Sequence, residues 1–560
     1  MTSFDSNAQK LPWEEEASTD SEDRALGMVV DGSLSRGLDI KLDTDRSTED
    51  VKVGQYITVQ GEQARFYCLV SDILLKTTDT ALTSMPPDMS DPLVAQVLRG
   101  TGTYGVVHVA PTLTQRVAGN TYEPVKTIPG HYAPAFRASK EEIEAIFGGE
   151  DAQHLWIGSP LDMEDTRIRL EIPKLIERSS GVFGKTGTGK TYLTRILMAG
   201  ILQKRSAVQL IFDMHNEYGW RGTSEGQWGQ VKGLKQLYGS QVAVFTLDEA
   251  SSRARGVSTD GVVQIGYDEL EPEDIADLRE TLDLSEVQAQ AVYVLEKNLG
   301  GRSHWFGAFI EKDAEGLKDL AAQTNLHGGA LEALQRRLKY LTDRLGFLTP
   351  QANGGNAAGQ ILDYLQREKT VVLEFGKYKD NPLAQVLVAN MLSRRIYDRW
   401  AGLVDRALGD KAQEPPQLII TLEEAHKFLN SRMAGQTIFG TIAREMRKYK
   451  VTLLVVDQRP SAIDPEVLSQ IGTKVCCLLD DDNDIRAILS GASGANELRG
   501  VLARLESKQQ ALIFGHAVPM PVVVRTRDYG SPDSYKEFGF VEESEQRQQA
   551  ERNRQELFGR

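Results

Sequence analysis

Between Leu26 and Val125 the chain sets short apolar runs (Leu26–Val30, Tyr56–Val59, Arg65–Val70, Tyr104–Val109) between turn signals at Asp31-Gly32, Gly61-Glu62 and Gly100-Thr101-Gly102. Strand-length runs at this spacing predict a small β-barrel or sandwich. Ser139 with Glu142 three residues on reads as a capping box, opening a helix that runs to about Phe147 and stops at Gly148-Gly149.

Beyond that helix the pattern changes. Compact apolar runs at Val208–Phe212, Val242–Phe245, Thr370–Phe375, Gln417–Leu422 and Thr452–Val456 are separated by segments long enough for crossover helices. This alternation predicts a parallel α/β sheet. One stretch interrupts it: from about 267 to 350 the texture is helical, with Leu331, Leu334, Leu338, Leu341 and Leu345 falling on one helix face. A helical subdomain inserted into the α/β core is the expected arrangement.

Length and composition narrow the class. At 560 residues the chain is too long for one compact domain, and about three or four units are expected. With 41% hydrophobic and 26% charged residues, global disorder and fibrous classes are excluded. Cys68, Cys476 and Cys477 make no disulfide framework and read as buried thiols. No apolar run approaches the roughly 18 residues of a membrane span, and the acidic start lacks a signal core. The expectation is a soluble cytoplasmic protein with no membrane partner.

The chemistry begins at Gly184-Lys185-Thr186-Gly187-Thr188-Gly189-Lys190-Thr191, a full P-loop match with an extra glycine at 187. Such a loop turns backbone N–H groups toward phosphate oxygens, and glycine tolerates the dihedrals this needs. Lys190 is expected on the β- and γ-phosphates and Thr191 on Mg²⁺. The apolar Gly181–Phe183 precedes the loop, and helix-like spacing follows over Tyr192–Leu202. A helix N-terminus there favours anions.

A second strand must bring acids to the loop. Gln417–Leu422 ends in Glu423-Glu424-Ala425-His426. Glu423 is expected to help hold Mg²⁺ and Glu424 to act as general base or water-orienter. Gln458, closing the run Thr452–Val456-Asp457, is placed to sense the γ-phosphate. The cation-dense Arg444–Lys450 reads either as a solvated helix face or as the source of an arginine finger for a neighbouring subunit. With no Asn-Lys-x-Asp guanine signature, ATP is favoured over GTP.

Together, Gly184–Thr191, Asp213–Tyr218, Leu422–His426, Arg444–Lys450 and Gln458–Ser461 resemble the HerA branch of the HerA/FtsK superfamily of ring-forming DNA-pumping ATPases. The resemblance spans roughly residues 26–530. It implies a RecA-like P-loop core carrying an N-terminal small β-barrel and the helical insertion. Gln510–Gly515 resembles the closing strand, before an extension that braces the adjoining subunit. The resemblance further implies a homo-hexamer, double-stranded DNA through its central channel, and a partner nuclease of the NurA type or another effector, in DNA-end processing or antiphage defence. Carried over residue by residue, Lys190 and Thr191 serve phosphate and metal, Glu424 hydrolysis, and Asp213 and Glu217 match acidic positions near the site, Asp213 being expected beside the metal. Arg444 or Arg447 is the trans-acting arginine.

The expected organisation is an acidic disordered tail over 1–25, a barrel over 26–135, core over 136–266, insertion over 267–350, core and brace over 351–530, and a tail over 531–560. Asp480–Asp484 lacks the glycine and glutamate of a calcium loop, and the eight histidines form no zinc pattern. Arg336, Arg337, Lys339 and Arg344 lie on the polar sides of the leucine-striped helix, where either DNA or solvent suits them. The net charge of -15 holds -5 within the first 25 residues. For a ring around DNA it becomes a spatial expectation, basic inside and acidic outside. An ATP-gated scaffold that activates a partner enzyme uses the same motifs and stands as the alternative to a DNA motor.

Overall fold

The fold is that of a computed structural model, which describes residues 25–540 apart from 86, 89, 99–100, 117–118, 120, 224–228, 352–355 and 436. The acidic tail expected over 1–25, Ala25 apart, and residues 541–560 lie outside the described residues.

Six N-terminal strands close on themselves. Gly37–Leu42 pairs with Gly27–Ser33, which pairs with Pro134–Arg137; then come Tyr56–Gln60, Ala64–Thr77 and Thr103–Arg116, the last returning to Gly37–Leu42. Closure removes the open edges that a sandwich of this size would expose. The inward side chains, among them Ile40, Ile57, Val59, Cys68 and Val107, are 0–1% exposed. Two differences from the sequence reading stand out. The barrel's last strand runs to Arg137, so a boundary at 135 cuts it. The strand expected over Arg65–Val70 continues to Thr77, its half-polar second part extending the hairpin with Thr103–Arg116.

The core is one twelve-stranded sheet. Its parallel part runs Gly261–Val262, Val242–Thr246, Thr370–Glu374, Val208–Asp213, Leu418–Glu423, Val451–Asp457, Ser180–Phe183, Thr473–Cys476. Apart from the edge pair Gly261–Val262, these strands are buried on both faces, which is why they read as continuous apolar runs. An antiparallel edge follows: Gln510–Gly515, Val522–Thr526, His154–Pro160 and Ile168–Glu171.

The register sets the site. Phe183 lies opposite Asp457 and Cys476, Glu423 opposite Val456, and Asp213 opposite Glu374. The P-loop and four strand-terminal acids therefore leave the sheet at the same, carboxyl, edge, where open α/β sheets form their crevices.

The helical insertion is clasped at its base by two short parallel strands, Ile265–Gly266 and Leu348–Thr349. Leu331, Leu334, Leu338 and Leu341 of the helix Gly328–Arg344 are at most 1% exposed and pack with Trp305, Phe306 and Phe309. Each such leucine contributes about 1.5–3 kcal/mol of burial free energy. The insertion meets the 26-residue helix Pro382–Ala407 through charge: Arg394 pairs with Glu271 and, at 2.8 Å, with Asp274. Beside that pair, Asp277 accepts from the Asn390 amide, whose oxygen in turn receives the Ile438 N–H at 2.9 Å.

The segment expected as a tail from residue 531 contains a helix, Pro532–Glu537, with Tyr535 and Phe538 buried. Among the described residues this end braces its own chain: Tyr529 donates to the Lys232 carbonyl at 2.8 Å and stacks edge-on against Tyr192. No helix of the described residues is long and apolar enough to cross a membrane.

Candidate active site

The loop after Phe183 is shaped by its glycines. Gly184, Gly187 and Gly189 all hold positive φ, at 153°, 80° and 97°. At Gly184 a Cβ would lie 2.6 Å from the Cβ of Cys477, so only glycine lets the strand end approach its neighbour this closely. The loop leads into the helix Lys190–Lys204, whose N-terminus faces the crevice. Lys190 spans the loop to the Lys185 carbonyl at 2.9 Å, and the Thr188 hydroxyl reaches the same oxygen at 2.6 Å. Lys185 is tied from both ends, its N–H to Leu478 at 3.0 Å and its ammonium to Asp480 at 2.5 Å.

Glu423 and Glu424 leave the neighbouring region of the sheet in opposite environments. Glu423 is buried, with Tyr218 donating to its Oε1 at 2.7 Å and its Oε2 lacking a hydrogen-bond partner. Burial, reinforced by the nearby Asp213 carboxylate, pushes its pKa above the ordinary carboxylate range. Glu424 is part-exposed and has a left-handed backbone, φ 48°, uncommon for a residue with a β-carbon. The peptide after it is clamped: Asp457 accepts the His426 N–H at 2.6 Å and its imidazole at 3.0 Å. That bond raises the His426 pKa. Gln458 donates to Glu424 Oε2 at 3.2 Å and accepts from the Thr186 hydroxyl at 2.5 Å.

Asp213, expected beside the metal, gives both oxygens to the turn that follows it. They accept from the N–H groups of Glu217 and Tyr218 at 2.8 Å and of Gly219 at 3.2 Å. Its carboxylate shapes the turn that delivers Tyr218. Arg195, 1% exposed, docks this turn on the P-loop helix, reaching the Glu217 carbonyl at 3.1 Å and its carboxylate at 3.7 Å.

The donor types suit Mg²⁺: Glu423 has a carboxyl oxygen without a partner, and Thr191 supplies a hydroxyl. Among the described residues no cluster of three or more His, Cys, Asp or Glu forms a metal site by itself.

Arg444 and Arg447 are not brought to this edge. Arg447 pairs with Glu177, and Arg444 lies 3.5 Å from Glu466. Arg447 precedes the strand Val451–Asp457, whose other end lies at the P-loop, so it stands about 20 Å away at the amino edge.

The sequence reading gave no role to Tyr218, Asp457, Arg195 or Asp480. Asp457 carries a readable signal, a lone acid ending an apolar strand. The others depend on side chains meeting across strands, which spacing along the chain does not encode.

Parts of the chain are similar to known proteins. Residues 155–396 match the family model for the central domain of helicase HerA. The DNA double-strand break repair helicase HerA of Pyrococcus furiosus is 22% identical over 434 residues, covering 74% of this chain and 76% of that one. Its counterpart from Sulfurisphaera tokodaii is 22% identical over 529 residues, covering 89% and 92%. Among solved structures, VirB4 of Thermoanaerobacter pseudethanolicus aligns with a TM-score of 0.44 and 12% identity, over 69% of this chain and 99% of that one. With its P-loop, and with similarity to HerA helicases that runs over most of its length, the chain is a P-loop ATPase, an enzyme that binds and hydrolyses ATP.

Proposed function

We propose that this chain is the motor subunit of a homo-hexameric ring that moves double-stranded DNA through its central channel, in DNA-end processing or antiphage defence. A NurA-like nuclease or another effector is its partner. The observation that carries the ring is the position of Arg444 and Arg447. A nucleotide on Gly184–Thr191 receives neither arginine from its own chain, whereas a neighbour presenting its amino edge supplies one. That relatives over most of the chain are named DNA double-strand break repair helicases supports DNA as the track.

In the mechanism, Lys190 and the loop N–H groups hold the phosphates. Glu423 and Thr191 would hold Mg²⁺, which would supply neutralising charge for the phosphate oxygens. Asp213 holds the turn carrying Tyr218, and Tyr218 fixes Glu423. Glu424 takes the proton of the attacking water while Gln458 orients that exchange. Positioning and electrostatics supply most of the barrier reduction.

The test is ATPase activity of the purified protein with and without long duplex DNA, alongside native mass measurement. Hexamers stimulated by duplex, with displacement of a triplex strand, are expected. A monomeric enzyme indifferent to DNA would remove the motor reading.

A further inference from the structure

We infer that Thr186, at the tip of the phosphate loop, is a positioning residue that sets the Gln458 amide and through it Glu424. The inference rests on the reading of Glu424 as the general base. It adds a direct link from the phosphate loop to that base.

The chemistry of the three groups fixes the direction of each bond. An ionised Glu424 only accepts, so the nitrogen of the Gln458 amide must face it, at 3.2 Å. The Gln458 oxygen then faces Thr186, and the hydroxyl must donate to it, at 2.5 Å. A glutamine side chain has three rotatable bonds, and one hydrogen bond at one end of the amide leaves it free to swing. Bonds at both ends hold it in one orientation.

Thr186 itself is well placed to do this. Its neighbour Lys185 is anchored at 3.0 Å to Leu478 through the backbone and at 2.5 Å to Asp480 through the side chain. The hydroxyl is thus registered against the loop following Thr473–Cys476, while Gln458 follows the next strand but one, Val451–Asp457, across the P-loop strand. On the other side, Glu424 is held by its left-handed backbone and by the Asp457 clamp on the His426 peptide. The relay Thr186–Gln458–Glu424 therefore runs between two fixed ends, with the amide as its single movable member.

The experiment compares full-length Thr186→Val, Thr186→Ser, Gln458→Ala and the Thr186→Val/Gln458→Ala double variant. Steady-state ATPase is measured together with affinity for a fluorescent non-hydrolysable ATP analogue. Thr186→Val keeps the shape and removes the hydroxyl; it is expected to lower kcat about 10-fold with KM and analogue affinity within about 2-fold. Thr186→Ser is expected to recover to within about 3-fold of the parent. In the double variant Thr186→Val adds nothing to Gln458→Ala, because both break one relay. An unchanged kcat in Thr186→Val, a loss confined to KM, or losses that multiply in the double variant would each overturn the inference. Glu424→Gln run in parallel separates the two readings. If Glu424→Gln turns over normally, the base assignment fails, whatever Thr186 does.

Discussion

Tyr218 donates its hydroxyl to Glu423 at 2.7 Å, joining the turn after one strand to the end of the next. The bond occupies one carboxyl oxygen and leaves the other buried and without a partner, the oxygen a cation would take. Tyr218→Phe keeps the ring and removes the bond. Its expected effect is a roughly 10-fold smaller gain in affinity for a non-hydrolysable ATP analogue when Mg²⁺ is added, with little change in EDTA. A fluorescence titration in both conditions reads this directly, and identical Mg²⁺ dependence in the two proteins would sink it.

The roles proposed for Glu424 and Lys190 separate by substitution. Glu424→Gln is expected to bind ATP as the parent does while turnover falls at least about 100-fold, since the group taking the proton is gone. Lys190→Ala loses a charge that binds phosphate in ground and transition states alike, so analogue affinity falls as well. Normal turnover in Glu424→Gln would move the base elsewhere.

The amino-edge location of Arg444 and Arg447 makes a complementation test possible. Arg447→Ala subunits keep an intact P-loop, and Lys190→Ala subunits keep an intact arginine. Mixed after dissociation, two inactive proteins are expected to regain about a tenth or more of the parent's ATPase, through sites built from one subunit of each kind. The same mixture with Arg444→Ala identifies which arginine acts. Silence in both mixtures, with mixed rings confirmed by mass, would exclude a trans role for either.

Away from the nucleotide, Asp277 predicts a pH effect on stability. Burial, with Asp274 and Glu273 nearby and the Asn390 bond and Arg394 opposing, pushes its carboxyl up to about 7. Because the folded pKa lies above the unfolded one, its contribution is full below about pH 4 and is lost as pH rises through 7. Asp277→Asn retains an acceptor for Asn390 and removes the titration. It is expected to melt about 2 °C above the parent at pH 8, the gap closing toward pH 4. A gap that does not change with pH would refute the assignment.

The sequence carried the strands because a strand buried on both faces must be apolar throughout, as Val208–Asp213 and Val451–Asp457 are. It carried the P-loop because the glycine requirement is local. The barrel's closure was not legible, since the pairing of Gly37–Leu42 with Thr103–Arg116 joins strands far apart in the chain. Of the antiparallel edge, Gln510–Gly515 was read through the resemblance, while His154–Pro160 was not, because its partner, Val522–Thr526, lies at the other end of the sequence. At the site, the spacing of Glu423 and Glu424 gave two acids but not their contrasting surroundings. Those come from Asp213 and Tyr218, at the end of Val208–Asp213 and in the turn after it, and from Gln458, which follows Val451–Asp457.

The clasp of Ile265–Gly266 with Leu348–Thr349 has a consequence for how such a chain diversifies. Paired parallel strands lie about 4.8 Å apart, so the insertion leaves and re-enters the core through a doorway one strand wide. Whatever is hung between Gly266 and Leu348 is a cassette. It can be lengthened, shortened or exchanged while the sheet that aligns Glu423, Asp457 and the P-loop keeps its register. The catalytic edge and the helical module are thus free to change at different rates.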